Sequence, residues 1–189
     1  MDFRILIIHI SIAFLFIPVS CSSVKGVKRI SGEAVMYGMV YNYDNIPVSN
    51  AEVMVDGKTV TLTDAQGRFV LASRQRKEFV LTLTKTGYEA VTGNFRFEPM
   101  EVIHMVMVNA DQLIRQAEFA MDERRYHDVI ALCDRALDLN TGRIDASYLK
   151  ALSLVRLHEY SRARYFLEEL QNQIGEREYI RKVLEGLPK

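Results

Sequence analysis

The sequence predicts an α+β chain: an N-terminal all-β sandwich of about seven strands, followed by C-terminal α-helical hairpins. Three observations carry that expectation. Between residues 32 and 108 the apolar residues recur mainly with period two, punctuated by short turn signals. From Ala110 the spacing changes to three and four, as a buried helical stripe requires. The helical part then repeats itself at an offset of 34 residues.

The chain opens with an apolar run, Ile5 to Ile17, broken only by His9 and Ser11. As a helix this run rises about 20 Å, short of a hydrocarbon core of about 30 Å. The length suits the apolar segment of a secretory signal. The run ends at Pro18-Val19-Ser20-Cys21. Small residues ahead of a cysteine at this distance resemble the lipobox of bacterial lipoproteins, although Pro18 stands where leucine is usual. In that family the cysteine becomes the new N-terminus and carries the lipid. The resemblance implies a signal peptide at 1–20, lipidation at Cys21, and an anchor with a short linker at 21–31. An uncleaved signal anchor is the other reading of the run. Export places the mature chain in an oxidising compartment. With Cys21 acylated, Cys133 has no intramolecular partner; within its helical stripe it reads as a small hydrophobe in a core.

Seven strands are expected near 32–42, 51–56, 58–63, 67–73, 78–85, 88–97 and 101–108. Ala51, Val53 and Val55 alternate with Glu52, Met54 and Asp56, and Phe79, Leu81 and Leu83 share one face. The turn signals are Asp44-Asn45, Ser49-Asn50, Asp56-Gly57, Asp64 to Gly67, Thr86-Gly87 and Thr92-Gly93. The last strand, Val102 to Val108, is apolar on both faces and is therefore expected to be buried on both sides. Three segments are similar to the carboxypeptidase-regulatory-like family of transthyretin-like sandwiches: Val40 to Gly57, Thr61 to Phe69, and Gly87-Tyr88. The motifs are a Pro-containing turn, an A-x-V strand, T-D-x-x-G-x-F and a late G-Y. PEGA-type surface-layer modules share part of this pattern. Either resemblance implies a binding or spacer module at 32–108, without catalysis.

The second half, 109–189, follows without a Gly/Ser/Pro linker, so the two modules are expected to touch. At the 34-residue offset Ala117 maps to Ala151, Ala120 to Leu154, Tyr126 to Tyr160, Val129 to Ala163, Cys133 to Leu167 and Ala136 to Leu170. A helix–turn–helix unit of this period resembles tetratricopeptide repeats, here 110–143 and 144–177 with a capping helix at 177–187. The Gly usual before the turn is replaced by Arg124 and His158. Two repeats and a cap bury little surface alone, so the sandwich, a partner or a second copy must supply the rest. Self-association is therefore a further option.

The chemistry the sequence excludes is broad. Lys+Arg and Asp+Glu number 24 each, and neither half carries an excess of one sign, which argues against nucleic acid as a partner. With 49% apolar and 25% charged residues the chain is not a disordered one. Gly57-Lys58-Thr59 resembles the end of a P-loop, but Glu52 stands where the earlier glycine must be. No H-E-x-x-H, G-x-S-x-G or C-x-x-C occurs. No catalytic residue, metal ligand or cofactor is expected.

What remains is a binding surface. In tetratricopeptide arrays the first helix of each repeat lines a concave groove. By register the candidates are Ile114, Glu118 and Met121, then Tyr148, Leu152 and Val155. This apolar row suits an amphipathic helix or an extended segment of another protein. Alternatively, it packs on the chain's own sandwich or C-terminal helix. The expected function is that of a non-enzymatic lipid-anchored protein of the bacterial cell envelope, outer membrane favoured. It would mediate protein–protein contact as an accessory or assembly subunit of a membrane complex, its partners other envelope proteins and the membrane itself. The alternative is a carbohydrate- or peptidoglycan-binding lipoprotein acting through the sandwich, which needs Tyr37, Tyr41, Tyr43 and Tyr88 exposed on one face.

Overall fold

The computed structural model describes residues 34–73 and 77–188. The apolar signal run, Cys21 and the linker after it lie outside the described residues. Seven strands form where the alternation places them: β1 (Ala34–Asn42), β2 (Glu52–Val55), β3 (Lys58–Leu62), β4 (Arg68–Ser73), β5 (Glu78–Thr84), β6 (Val91–Arg96) and β7 (Val102–Met107). They make two sheets, ordered β4-β1-β7 and β3-β2-β5-β6. β1 pairs antiparallel with β4 and parallel with β7. The inward positions form one apolar core. Met36, Val40, Phe69 and Met107 from one sheet meet Val53, Leu81 and Leu83 from the other.

The turns follow local chemistry. Asp56 and Gly57 both take positive φ, 50° and 79°, the two-residue hairpin conformation that matches strand twist. In the next turn Asp64 Oδ1 accepts from the backbone N–H of Gln66 at 2.9 Å and of Arg68 at 2.8 Å. Gly67 sits at φ 71°, where a Cβ would lie 2.3 Å from the Val40 carbonyl oxygen. The buried Thr63 hydroxyl accepts from the Ala51 N–H at 2.8 Å and donates to the Val48 carbonyl at 2.7 Å. The turn thereby delivers Phe69 into the core, where its ring lies over Gly38.

Two expectations need correction. Thr92-Gly93 is not a turn: both residues lie inside β6, with Gly93 paired to Leu81. Its missing Cβ leaves room for the Phe95 ring, which a Cβ would approach at 2.7 Å. Nor is β7 buried on both sides. Ile103, Met105 and Met107 point inward, whereas Val102, His104 and Val106 are exposed. The reason is topological: β7 is an outer strand, and no described element covers the outer face of its sheet.

The helices are α1 (Ala110–Asp122), α2 (Tyr126–Leu139), α3 (Ile144–Arg156), α4 (Tyr160–Ile174) and α5 (Glu178–Gly186). α1, α2 and α3 each have an equivalent that begins 34 residues later: α3 starts 34 after α1, α4 34 after α2, and α5 34 after α3. Arg124 and His158, also 34 apart, both adopt positive φ, 60° and 63°. Ala117, Ala120, Val129, Cys133 and Ala136 are fully buried, and so are their counterparts Ala151, Leu154, Ala163, Leu167 and Leu170. Successive helices pack on one another, and α1 also touches α3. Sandwich and helices belong to one compact unit, Gly32–Lys189.

Candidate functional site

The junction between sandwich and helices is built by a single turn of chain and then locked by side chains. Asn109 caps α1: its Oδ1 accepts the Gln112 N–H at 2.9 Å, while the Gln112 Oε1 accepts the Asn109 N–H at 3.2 Å. The same Gln112, almost fully buried, donates from Nε2 to Asp44 Oδ2 at 2.8 Å. Arg115 Nη2 donates to that oxygen at 2.6 Å. Asp44 projects from the loop after β1 because Asn42 Oδ1 accepts the N–H groups of Asp44 and Ile46, both at 2.9 Å. The Gln112 amide, then Arg115, hold the Asp44 carboxyl below its ordinary value against a desolvation that opposes them.

A second lock joins α2 to the β5–β6 connection. Arg135 donates from Nε to Glu89 Oε1 at 2.8 Å and from Nη2 to Oε2 at 2.6 Å, a two-pronged pair. Glu89 is itself placed by its backbone N–H, which donates to the Val108 carbonyl at 2.8 Å. These locks leave an open cleft of about 610 Å³ between the β1–β2 loop and the α1–α2 hairpin. Tyr43 and Phe119 stand in it, 62% and 61% exposed, above Leu132 and Ala131. Three guanidinium groups, Arg115, Arg125 and Arg135, line it. Arg125 is held by Glu123 at 2.7 Å and by Asp128. Aromatic rings beside fixed guanidinium groups are the composition that dominates protein–protein contact energy.

The six candidate positions lie on α1 and α3. Ile114 is 4% exposed and belongs to the helical core, not to an open surface. Glu118 is exposed, and Met121, Leu152 and Val155 are half-buried. Tyr148 packs edge-on against Tyr179 of α5, ring centroids 5.1 Å apart, so the chain's own last helix covers part of the row. Burial pushes the Tyr148 phenol up, with Tyr179 adding to it. The four sandwich tyrosines do not share a face. Tyr37 and Tyr41 lie on the outer side of the three-stranded sheet, Tyr43 lines the cleft, and Tyr88 sits beneath the Lys85 ammonium, 5.1 Å from its ring centroid.

Cys133 is buried, and burial pushes its thiol up to about 12, leaving it protonated and inert. Among the described residues no group of His, Cys, Asp and Glu is placed to hold a metal ion. Among them too, no helix is long and apolar enough to cross a membrane. Sequence reading missed the cleft. Tyr43, Phe119 and Arg135 come from segments far apart in the chain; the missing linker predicts contact between the modules, and the N-x-x-Q spacing at Asn109 is a local signal that could have shown α1 starting directly at the sandwich.

No protein-family model matches the chain, and no curated protein matches it. Part of it is similar to solved structures. BcpA, the major pilin subunit of Bacillus cereus, aligns at 17% identity and TM-score 0.33, over 41% of this chain and 28% of that one. A streptococcal ancillary pilin aligns at 8% identity and TM-score 0.34, over 42% and 32%. The 3-chlorocatechol 1,2-dioxygenase of Rhodococcus opacus 1CP aligns at 11% identity and TM-score 0.34, over 41% and 60%. The chain spans less than two thirds of each. Likeness this partial and faint decides neither family nor function.

Proposed function

We propose that this chain is a lipid-anchored protein of the bacterial cell envelope, without catalysis of its own, that holds other envelope proteins at a membrane. The single observation that carries the reading is the cleft at the seam. Two modules that resemble adapter domains, a carboxypeptidase-regulatory-like sandwich (32–108) and a tetratricopeptide-like pair of hairpins (109–189), are locked together. Together they present Tyr43 and Phe119 beside fixed arginines. The charged groups of this cleft are ion-paired, Arg115 with Asp44, Arg125 with Asp128 and Arg135 with Glu89, which suits a rigid docking surface rather than a group that must gain or lose a proton. The part of the α1–α3 row that reaches solvent, exposed Glu118 with half-buried Met121, Leu152 and Val155, is a second contact surface for the same role. The lipobox-like Pro18 to Cys21 supports the anchor, and Ser22 after it, with no acidic retention cue, favours the outer membrane.

A photo-crosslinkable residue at Phe119 in the membrane-borne protein tests this. The expected result is a discrete adduct with another envelope protein, lost when Tyr43→Ala is added. Both side chains are largely exposed, so neither change disturbs the core. The same adduct from a probe at Val80, on the far sheet, would remove the cleft from the proposal. Binding to purified sacculi that survives deletion of residues 110–189 would favour the glycan-binding alternative. Reproducible turnover by the isolated chain would end the non-enzymatic reading.

A further inference from the structure

The outer face of the three-stranded sheet is apolar where an exposed sheet face is ordinarily polar. Tyr37 pairs with Val70 on one side and Val102 on the other, and Tyr41 pairs with Val106. Val70, Val102 and Val106 are each about two-fifths to half exposed, at 41%, 42% and 49%. None of the outward positions of these three strands is a carboxylate. Their only charged or titratable side chains are the tyrosines, Arg68 and His104, and Arg68 is paired at 2.9 Å with Asp64, at the rim. Glu101, the residue before β7, is another acid at the margin of the sheet. The opposite sheet differs: its outer face also exposes Val80 and Leu62, but sets them among carboxylates and hydroxyls, Glu52, Glu78, Thr82, Thr84 and Thr92, with the Thr59 and Thr84 hydroxyls donating to Glu52.

We infer that this face rests on the lipid surface that carries the anchor. The inference stands on the lipid-anchor reading of Cys21. Two arguments select lipid over protein. First, only residues 22–33 separate Cys21 from Ala34, the first residue of the central strand of this sheet. A tether of that length spans at most about 40 Å when fully extended and about 20 Å as a flexible coil. The face is therefore held at high effective concentration beside the bilayer, where weak apolar contact suffices. The tether also carries Lys25, Lys28 and Arg29 against Glu33, a basic excess that anionic headgroups attract. Second, three strands about 4.8 Å apart and six to nine residues long present only a few hundred Å². A stable protein interface needs about 800 Å² per partner. Tyrosine rings with an apolar body and a polar tip suit the headgroup level.

The test uses the full chain, extracted from membranes and reconstituted in phosphatidylethanolamine–phosphatidylglycerol vesicles with brominated acyl chains. Val106→Cys and Val80→Cys each carry a fluorophore, and the unsubstituted chain is treated with the same dye. Cys133 is buried and stays unlabelled. Support for the inference is a Val106 label quenched severalfold by bromolipid and shielded from aqueous iodide, with the Val80 label open to iodide. Equal iodide access at both positions overturns it while leaving the anchor intact. A Val106 label shielded from iodide yet unquenched by bromolipid also overturns it, because a protein then covers the face. Dye on Cys21 of the unsubstituted chain reports a free thiol; it defeats the anchor reading itself, and this inference with it.

Discussion

The two helical hairpins have the same register and are held together differently. At three equivalent buried positions the first hairpin has Ala120, Cys133 and Ala136 where the second has Leu154, Leu167 and Leu170, and at a fourth the order reverses, Val129 against Ala163. Small side chains bring α1 and α2 close but bury little apolar area, about 25 cal/mol for each Å² removed from water. The first hairpin is compensated by the sandwich, through Gln112, Arg115 and Arg135. At the corresponding places the second hairpin has Ala146, Leu149 and Glu169, and no sandwich to meet. It relies on leucine volume and on α5, whose Ile180, with Leu187 just beyond, completes its core. One local geometry can thus be stabilised by core volume or by a polar seam to a neighbour, and the two should fail in different ways.

The sharpest break is in the core of the second hairpin. Leu154→Ala or Leu167→Ala removes a fully buried side chain with no seam to compensate it, and is expected to cost about 2–5 kcal/mol in urea melts. The reverse change in the first hairpin, Ala120→Leu, copies the second hairpin's residue into a space sized for alanine. It is expected to cost about 1–3 kcal/mol through overpacking. If Ala120→Leu instead stabilised the protein, the first hairpin would have spare volume and the contrast between the hairpins would collapse.

How much of this was legible follows from where the information lies. The repeat was, because its buried positions recur at a fixed spacing within one stretch of chain, and Ala117 to Ala136 announce it without any tertiary knowledge. The strands were, because alternation is local. The two misread features turned on what lies opposite. Gly93 looks like a turn residue until Phe95 is placed over it. β7 looks buried on both faces because its sequence is apolar on both; that one face is bare follows from sheet order, which no spacing encodes. The register puts the six candidate positions on α1 and α3, yet Ile114 is core and Tyr148 packs against Tyr179, since a register fixes a face and not what covers it. The cleft was invisible because Asp44 and Glu89 find their arginines at separations of 71 and 46 residues.

The seam gives a smaller effect with a distinctive signature. Glu89→Gln cuts the two-pronged contact to Arg135, both partly exposed, and is expected to cost about 1 kcal/mol at most. Hydrogen exchange should quicken in α1 and α2 and hardly change in α3 and α4. Equal quickening in both hairpins would mean that the seam stabilises the whole array and not one half. Acid should act on the same seam. The Asp44 carboxyl is depressed in the folded protein, so its contribution is fully present above the ordinary value of 3.8 and is lost as pH falls through the lower folded value. Exchange in α1 should therefore be flat from neutral pH to about 4, after correction for intrinsic rates, and rise below it. Asp44→Asn should abolish that rise. A midpoint near pH 6 would implicate a histidine instead of Asp44.

The smallest effect has the opposite sign and treats the hairpins alike. Arg124 and His158 close the turns of the two hairpins at φ 60° and 63°. For an L-residue with a Cβ the left-handed region costs about 1–2 kcal/mol. Glycine avoids that cost but loses about 0.5–1 kcal/mol through the freedom it gains when unfolded. Arg124→Gly should therefore stabilise the protein by about 0.5–1 kcal/mol. His158→Gly should stabilise it less, because His158 Nδ1 lies 2.5 Å from the Tyr160 hydroxyl and its ring packs edge-on against the tyrosine. Paired thermal melts of the two variants check the order. If Arg124→Gly destabilised the protein, the Arg124 side chain would be contributing more than its backbone costs, and the first hairpin would owe its closure to a contact at the turn as well as to the seam.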